Sequence, residues 1–170
     1  MSKRLKVGII GCGGIANGKH LPSLKAINRV DLVAFCDLIE EKAIKAAKEY
    51  GTPDAKVYTD YQELLKDESI DVVHVLTPNR MHAQISIDAL HAGKHVMCEK
   101  PMAKTAEDAR RMVAAAKESG KKLTIGYQHR HKPETQYLKQ VIDSGELGDI
   151  YYAKALAIRR RGTPNWGVFL

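Results

Sequence analysis

The sequence predicts an α/β fold, a doubly wound parallel sheet followed by the start of a second, α+β unit, and three observations carry that prediction. Apolar runs rich in β-branched residues alternate with segments of helical period, as in strands joined by crossover helices. The first run leads straight into a glycine-rich turn, and after Tyr127 the alternation stops. The length of 170 residues holds one domain and part of another, which sets expected boundaries of 1–125 and 126–170. Hydrophobic residues at 44% and charged residues at 28% are globular values, so wholesale disorder is excluded.

In chain order, strands are expected at Lys6–Ile10, Val30–Cys36, Lys56–Tyr58, Asp71–Leu76, His95–Cys98 and Lys122–Tyr127. Helices are expected between them at Gly14–Ile27, Glu40–Tyr50, Tyr61–Lys66, His82–Ala92 and Ala106–Ser119. The last of these carries its own punctuation. Thr105 can cap its start with Asp108 three residues on, Ala109, Met112, Val113 and Ala116 form an apolar face, and Gly120 closes it. Pro22 lacks an amide donor and should break or bend the first helix. Right-handed crossovers throughout give an open sheet with a ligand crevice at the carboxyl ends of its strands. Beyond Tyr127 the pattern reads as a helix at Pro133–Asp143, a turn at Ser144–Asp149 and a strand at Ile150–Arg159.

Charge and cysteine content narrow the partners. The net charge of +7 falls almost wholly in the second half, but the basic residues are scattered, and only Arg159-Arg160-Arg161 makes a run of three. That pattern suits a solvated surface or a small anionic ligand and argues against nucleic acid. No apolar run approaches the roughly 20 residues of a membrane span, so no membrane partner is expected. Asp31 and Asp37 arrive before any long apolar segment, which argues against a signal peptide and for a cytoplasmic protein. Cys12, Cys36 and Cys98 are odd in number and far apart, so they read as free thiols, and no metal-ligand spacing emerges.

The residues that carry chemistry fall at strand ends. Gly11-Cys12-Gly13-Gly14-Ile15-Ala16 fits G-x-G-x-x-A between a strand and a helix, the dinucleotide fingerprint of a Rossmann sheet. Gly11 permits the tight turn, Gly13 lets backbone approach a pyrophosphate, and Ala16 lets helix and strand pack closely. Asp37 ends the second strand, where a carboxylate accepts from the adenosine ribose hydroxyls. Leu38-Ile39-Glu40-Glu41 offers no Arg for a 2′-phosphate, so NAD is expected over NADP. The competing reading has Asp37 capping the next helix. Thr77-Pro78-Asn79-Arg80-Met81-His82 is a polar turn at the end of the fourth strand. There His82 either meets the cofactor or sits in the first turn of the helix. His74, inside that strand, reads as a satisfied core residue, and His91 and His95 as surface or strand-start residues. Cys98-Glu99-Lys100-Pro101 ends the fifth strand and places a carboxylate and an ammonium at the same crevice. A Lys beside a carbinol can donate a hydrogen bond and, if burial lowers its pKa, move a proton. A surface ion pair between Glu99 and Lys100 is the plainer alternative.

Taken with Ala92-Gly93-Lys94-His95-Val96 and Glu99-Lys100-Pro101, the glycine turn and Thr77-Pro78-Asn79 with His82 resemble the Gfo/Idh/MocA oxidoreductases, the group of glucose-fructose oxidoreductase and inositol dehydrogenase. The resemblance runs through Gly126–Pro133 and Gly145–Asp149, which fit that family's domain junction. It implies NAD(P) on the Rossmann domain, with Gly11, Gly13, Gly14, Ile15, Asp37, Thr77, Pro78, Asn79, His82, Glu99, Gln128 and Arg130 at the cofactor. Lys100 matches the lysine that contacts nicotinamide ribose and substrate, and is the expected catalytic residue. The sequence departs from the family at Arg130-His131-Lys132-Pro133, where an aromatic residue more often follows the Arg. Members continue into a second domain bearing Asp-x-Gly-x-His-x-x-Asp, whose His is the usual acid or base, and a sheet that binds substrate and builds homo-oligomers. That motif is not in this sequence, so the second domain is expected to be truncated here. The implied activity is hydride transfer between nicotinamide and a sugar, inositol or related polyol. The alternative is a non-catalytic dinucleotide sensor.

Overall fold

The computed structural model describes residues 3–158 and 160. The chain divides into two compact units, Met1–Gly126 and Tyr127–Leu170. In the first, six strands form one parallel sheet: β1 (Leu5–Ile10), β2 (Val30–Cys36), β3 (Lys56–Tyr58), β4 (Val72–Val75), β5 (His95–Cys98) and β6 (Leu123–Ile125). Their order is β3-β2-β1-β4-β5-β6, the doubly wound arrangement whose direction reverses between β1 and β4. The crossovers are α1 (Leu21–Lys25), α2 (Glu40–Tyr50), α3 (Tyr61–Leu65), α4 (His82–His91) and α5 (Ala106–Ser119).

Alternation along the strands feeds two cores, one on each face, and a bulge after Leu32 in β2 puts Leu32 and Phe35, three positions apart, on the same side. Val7, Ile9, Leu32 and Phe35 pack with Leu21, Leu24, Ala43 and Ala46 from α1 and α2. Ile10, Ala34, Cys36, Val73, Val75 and Val96 pack with Leu64, Ile85, Leu90, Met112 and Ala115 from α3, α4 and α5. Burying each large side chain of this set contributes about 1.5–3 kcal/mol. Both faces are covered, as a parallel sheet requires.

The first helix differs from the expected Gly14–Ile27 in an informative way. A π-helical turn at Ala16–His20 precedes α1, and the Leu21 amide donates to the Ala16 carbonyl. Pro22 then stands at the start of α1. Widening the preceding turn removes the carbonyl that the proline ring would strike, so Pro22 shifts the helix rather than ending it. In α5 the cap is as expected, with the Asp108 amide donating to Thr105 Oγ1 at 3.1 Å and Gly120 in the left-handed region at φ 64°. Its buried stripe is different: Met112 and Ala115 are buried, whereas Val113 is 43% exposed. The helix turns its Asp108–Met112–Ala115–Ser119 edge inward, which moves Val113 to the rim.

Gly93-Lys94-His95, part of the motif behind the family resemblance, locks the amino-terminal edge of the sheet. Lys94 is only 4% exposed, and its Nζ donates to the Asp67 carbonyl at 2.7 Å. Burial pushes its ammonium below the ordinary lysine range. His95 Nδ1 accepts the Lys122 amide at 3.0 Å where β6 begins.

The second unit holds a 3₁₀ turn at Gln128–His131 and α6 (Pro133–Asp143), followed by turns through Gly145 and Gly148. The strand expected at Ile150–Arg159 is not formed: Ile150–Ile158 makes no ladder with any described residue, and Arg159 lies outside the described residues. A strand exists through its partner's N–H and C=O groups, and this segment has no such partner among the described residues. No helix of the described residues is long and apolar enough to cross a membrane.

All three cysteines are free and buried. Burial, more than the nearby acidic groups, pushes Cys12 and Cys36 up to about 12 and Cys98 up to about 11. Since the thiolate is the nucleophile, the folded chain at pH 8 should resist a disulfide thiol reagent, and three equivalents should react at once in denaturant. A fast-reacting thiol in the native chain would contradict this packing.

Candidate functional site

The carboxyl ends of β1, β2, β4 and β5 bring the expected crevice residues of the first unit to one edge of the sheet. At the end of β1, Gly11 has φ 96°, and a Cβ there would lie 2.8 Å from the Leu76 carbonyl carbon and oxygen. Only glycine fits both the dihedral and the gap. Side chains built at Gly13 and Gly14 would meet nothing within 4 Å, so the outer side of the loop is open. Asn17, which belongs to no motif of the sequence, pins the loop from beneath, its Nδ2 donating to the carbonyls of Cys12 at 2.7 Å and Gly13 at 2.9 Å. Ala16 is fully buried and Ile15 exposed.

Asp37 at the end of β2 turns toward the same loop. Its carboxylate accepts the Cys12 amide at 2.8 Å and the Ile39 amide at 3.0 Å. Ile39 is the N-cap residue that precedes α2, whose first turn receives no side-chain cap, so Asp37 joins β2 to the glycine loop rather than capping the helix. Each carboxylate oxygen spends one acceptor position on an amide and keeps another for a ligand hydroxyl.

At the end of β4, Thr77 Oγ1 is buried without a hydrogen-bond partner among the described residues. Pro78 and the 3₁₀ turn Asn79–Met81 follow. His82 is 1% exposed and lies between two backbone carbonyls, Nε2 2.8 Å from Thr77 O and Nδ1 2.7 Å from Pro101 O. It therefore clasps the β4 and β5 exits together, with both ring nitrogens occupied inside the protein.

At the end of β5 the charged pair separates. Glu99 turns inward, where Oε1 lies 2.8 Å from His20 Nε2 and Oε2 accepts the Lys100 amide at 3.0 Å. Lys100 itself is exposed. Among the described residues, Glu99 pairs with His20 and not with the Lys100 ammonium. His74 on β4 sets its ring edge-on to His20, with centroids 5.7 Å apart. The expectation that His74 is satisfied fails, because its Nδ1 is buried without a partner among the described residues. Burial, helped by His20, lowers its pKa to about 4. Gln128 and Arg130 lie in the second unit, in the 3₁₀ turn Gln128–His131, where the Arg130 carbonyl accepts from Gln136 at 3.1 Å.

An open glycine loop, a carboxylate with spare acceptor positions and an orphaned buried hydroxyl fit a dinucleotide lying across the switch point. No group of three or more metal-ligating side chains occurs among the described residues.

The geometry makes two quantitative expectations. Gly11→Ala should cost on the order of 1–3 kcal/mol from the dihedral alone, read as a lower urea midpoint. His74 binds a proton in the unfolded chain below about pH 6.5, but in the folded chain only near pH 4. Its contribution is therefore complete above about pH 6.5 and is lost as the pH falls toward 4. The loss should reach on the order of 3 kcal/mol. His74→Met should flatten the stability profile across that window; an unchanged slope would mean that another group is responsible.

The chain spans just under half the length of the curated relatives it matches. It is 44% identical over 168 residues to D-glucoside 3-dehydrogenase of Escherichia coli K12, covering 99% of this chain and 47% of that protein. It is 40% identical over 146 residues to inositol 2-dehydrogenase of Salmonella paratyphi B, covering 85% and 43%. Among solved structures, the WlbA dehydrogenase of Bordetella pertussis, in complex with NADH and UDP-GlcNAcA, superimposes with a TM-score of 0.81 at 31% identity over 89% of this chain and 43% of that one. Residues 5–127 match the model of the Gfo/Idh/MocA oxidoreductase family, described as having an NAD-binding Rossmann fold, and the chain belongs to that family.

Proposed function

We propose that the protein carrying this chain is an NAD-dependent dehydrogenase of a sugar, inositol or related polyol, and that this chain supplies its cofactor half. The observation that carries the reading is the convergence at one sheet edge of the glycine loop, Asp37 and the exposed Lys100. Gly11, Gly13, Gly14 and Ile15 would hold the pyrophosphate. Asp37 would take the adenosine ribose, and Thr77, Pro78, Asn79 and Glu99 would line the path to the nicotinamide. His82 would hold two of those loops at the right separation. Gln128 and Arg130 are assigned to the cofactor by the family resemblance. Bound there, NAD supplies a hydride acceptor at nicotinamide C4.

The protein's part is orientation and proton handling. Lys100 donates a hydrogen bond to the carbinol oxygen and fixes which carbon faces the cofactor. The proton goes to a base outside this chain, in the portion of the relatives' length that it does not span. The substrate class is carried by the two dehydrogenase relatives, one named for a glucoside and one for inositol. Residues 126–170 would begin the substrate domain, whose sheet would build a homo-oligomer, in a cytoplasmic protein.

Cofactor choice is directly measurable. Leu38 is nearly fully exposed, Glu40 and Glu41 open α2, and no Arg lies between Asp37 and Lys42. A 2′-phosphate would therefore meet carboxylates. NAD(H) should bind at least tenfold more tightly than NADP(H) by calorimetry, and Asp37→Ala should narrow the gap; equal affinities in the wild-type chain would refute the assignment.

Turnover provides a second check. The 170-residue chain should bind NADH yet oxidise polyols 10²- to 10⁴-fold more slowly than a complete dehydrogenase, the usual cost of a missing acid or base. Normal rates would place the base within this chain. Lys100→Ala in a complete protein should lower kcat far more than NAD affinity.

A further inference from the structure

We propose that His20 is a positioning residue for Lys100: it holds the Glu99 carboxylate inside the protein, so that the Glu99–Lys100 turn presents a free ammonium to the nicotinamide-riboside end of the crevice. The inference rests on the reading of that crevice as an NAD site.

Glu99 and His20 side chains are each only 13% exposed, and they meet at 2.8 Å. The second carboxylate oxygen accepts the Lys100 amide. Each oxygen thus has one partner, one on the helix that leaves the glycine loop and one in the backbone of Lys100. Three further features serve this contact. The π-helical turn Ala16–His20 ends on His20 and sets the direction from which its ring approaches. The edge-on His74 ring fixes the orientation of His20. A side chain at Gly126 would come within 3.3 Å of Glu99 Oε1, so glycine there leaves the carboxylate its seat.

Without His20, a largely buried carboxylate would lose one of its two partners. The strongest replacement within reach of its own chain is the neighbouring Lys100 ammonium. Pairing with it would pull the cation away from the ligand and rotate the turn. His20 therefore keeps apart two adjacent charges that would otherwise neutralise each other, and it links the glycine loop mechanically to the lysine.

The test compares NADH with ADP, which keeps the adenosine and both phosphates but lacks the nicotinamide riboside, titrated into the 170-residue chain. His20→Leu should weaken NADH about tenfold, the scale of one hydrogen bond to a charged group, while ADP changes less than twofold. His20→Gln, whose amide nitrogen falls near the place of Nε2, should restore NADH affinity to within about threefold of wild type. Should His20→Leu not fold, His20→Ala gives the same comparison, because it too leaves the Glu99 Oε1 without its His20 partner. Equal losses for NADH and ADP in a folded variant, no loss for NADH, or no rescue by Gln would overturn the inference. Failure of the wild-type chain to bind NADH at all would overturn the NAD reading, and the inference with it.

Discussion

The contact between Gly11 and the Leu76 carbonyl is where the two halves of the sheet are joined at their functional edge. β1 and β4 are neighbours, yet the chain winds away from them in opposite directions, to β2 and β3 on one side and to β5 and β6 on the other. A crevice opens between the departing loops only if both can leave their strands side by side. With a Cβ at position 11 the loops would collide at 2.8 Å. The absence of one side chain therefore lets the glycine loop, the Thr77 turn and the Glu99–Lys100 turn share one edge. The Leu76 amide, donating to the Ile10 carbonyl at 2.8 Å, seals the same junction.

Polar side chains working on backbone groups then hold the loops around this junction. Asn17 binds the glycine loop from within its own helix, Asp37 binds it from β2, His82 joins the β4 and β5 exits, and His20 joins the glycine-loop helix to Glu99. Four loops from four strands become one mutually braced surface. Such bracing matters because residues that act on a ligand must be held near productive geometry by neighbours whose own rotamers are fixed. Lys100 is left exposed, and a Cβ at Gly13 or Gly14 would meet nothing within 4 Å.

Residues grouped together by sequence motif divide by location. Lys94 and His95 tie the start of β5 to the loop between α3 and β4 and to the start of β6, at the amino-terminal edge, away from the crevice. Glu99 and Lys100, four and five residues past His95, emerge at the opposite edge, because β5 is one strand long and parallel to its neighbours. One continuous motif thus fastens the fold at one end and reaches the crevice edge at the other. Its lysines meet different surroundings for that geometric reason alone: Lys94 is buried and Lys100 exposed.

Local rules determined much of this. β2, β3 and β5 and helices α2, α5 and α6 lie where periodicity and punctuation place them, since each is specified by neighbours within a turn or a strand of sequence. The glycine turn and Asp37 were legible because their spacing carries a mechanism. Tertiary structure decided the rest. Whether Ile150–Ile158 becomes a strand depends on a partner that no local pattern supplies, and which edge of α5 faces inward depends on α4. His20 and Glu99 stand 79 positions apart, and His82 reaches 19 positions to Pro101. Nothing in a window of sequence distinguishes His20 from a solvated helix residue, or His74 from a satisfied one. The chain alone specifies which residues are chemically able to act; packing specifies which of them meet, because hydrogen bonds between distant residues exist only once the strands have brought their ends together.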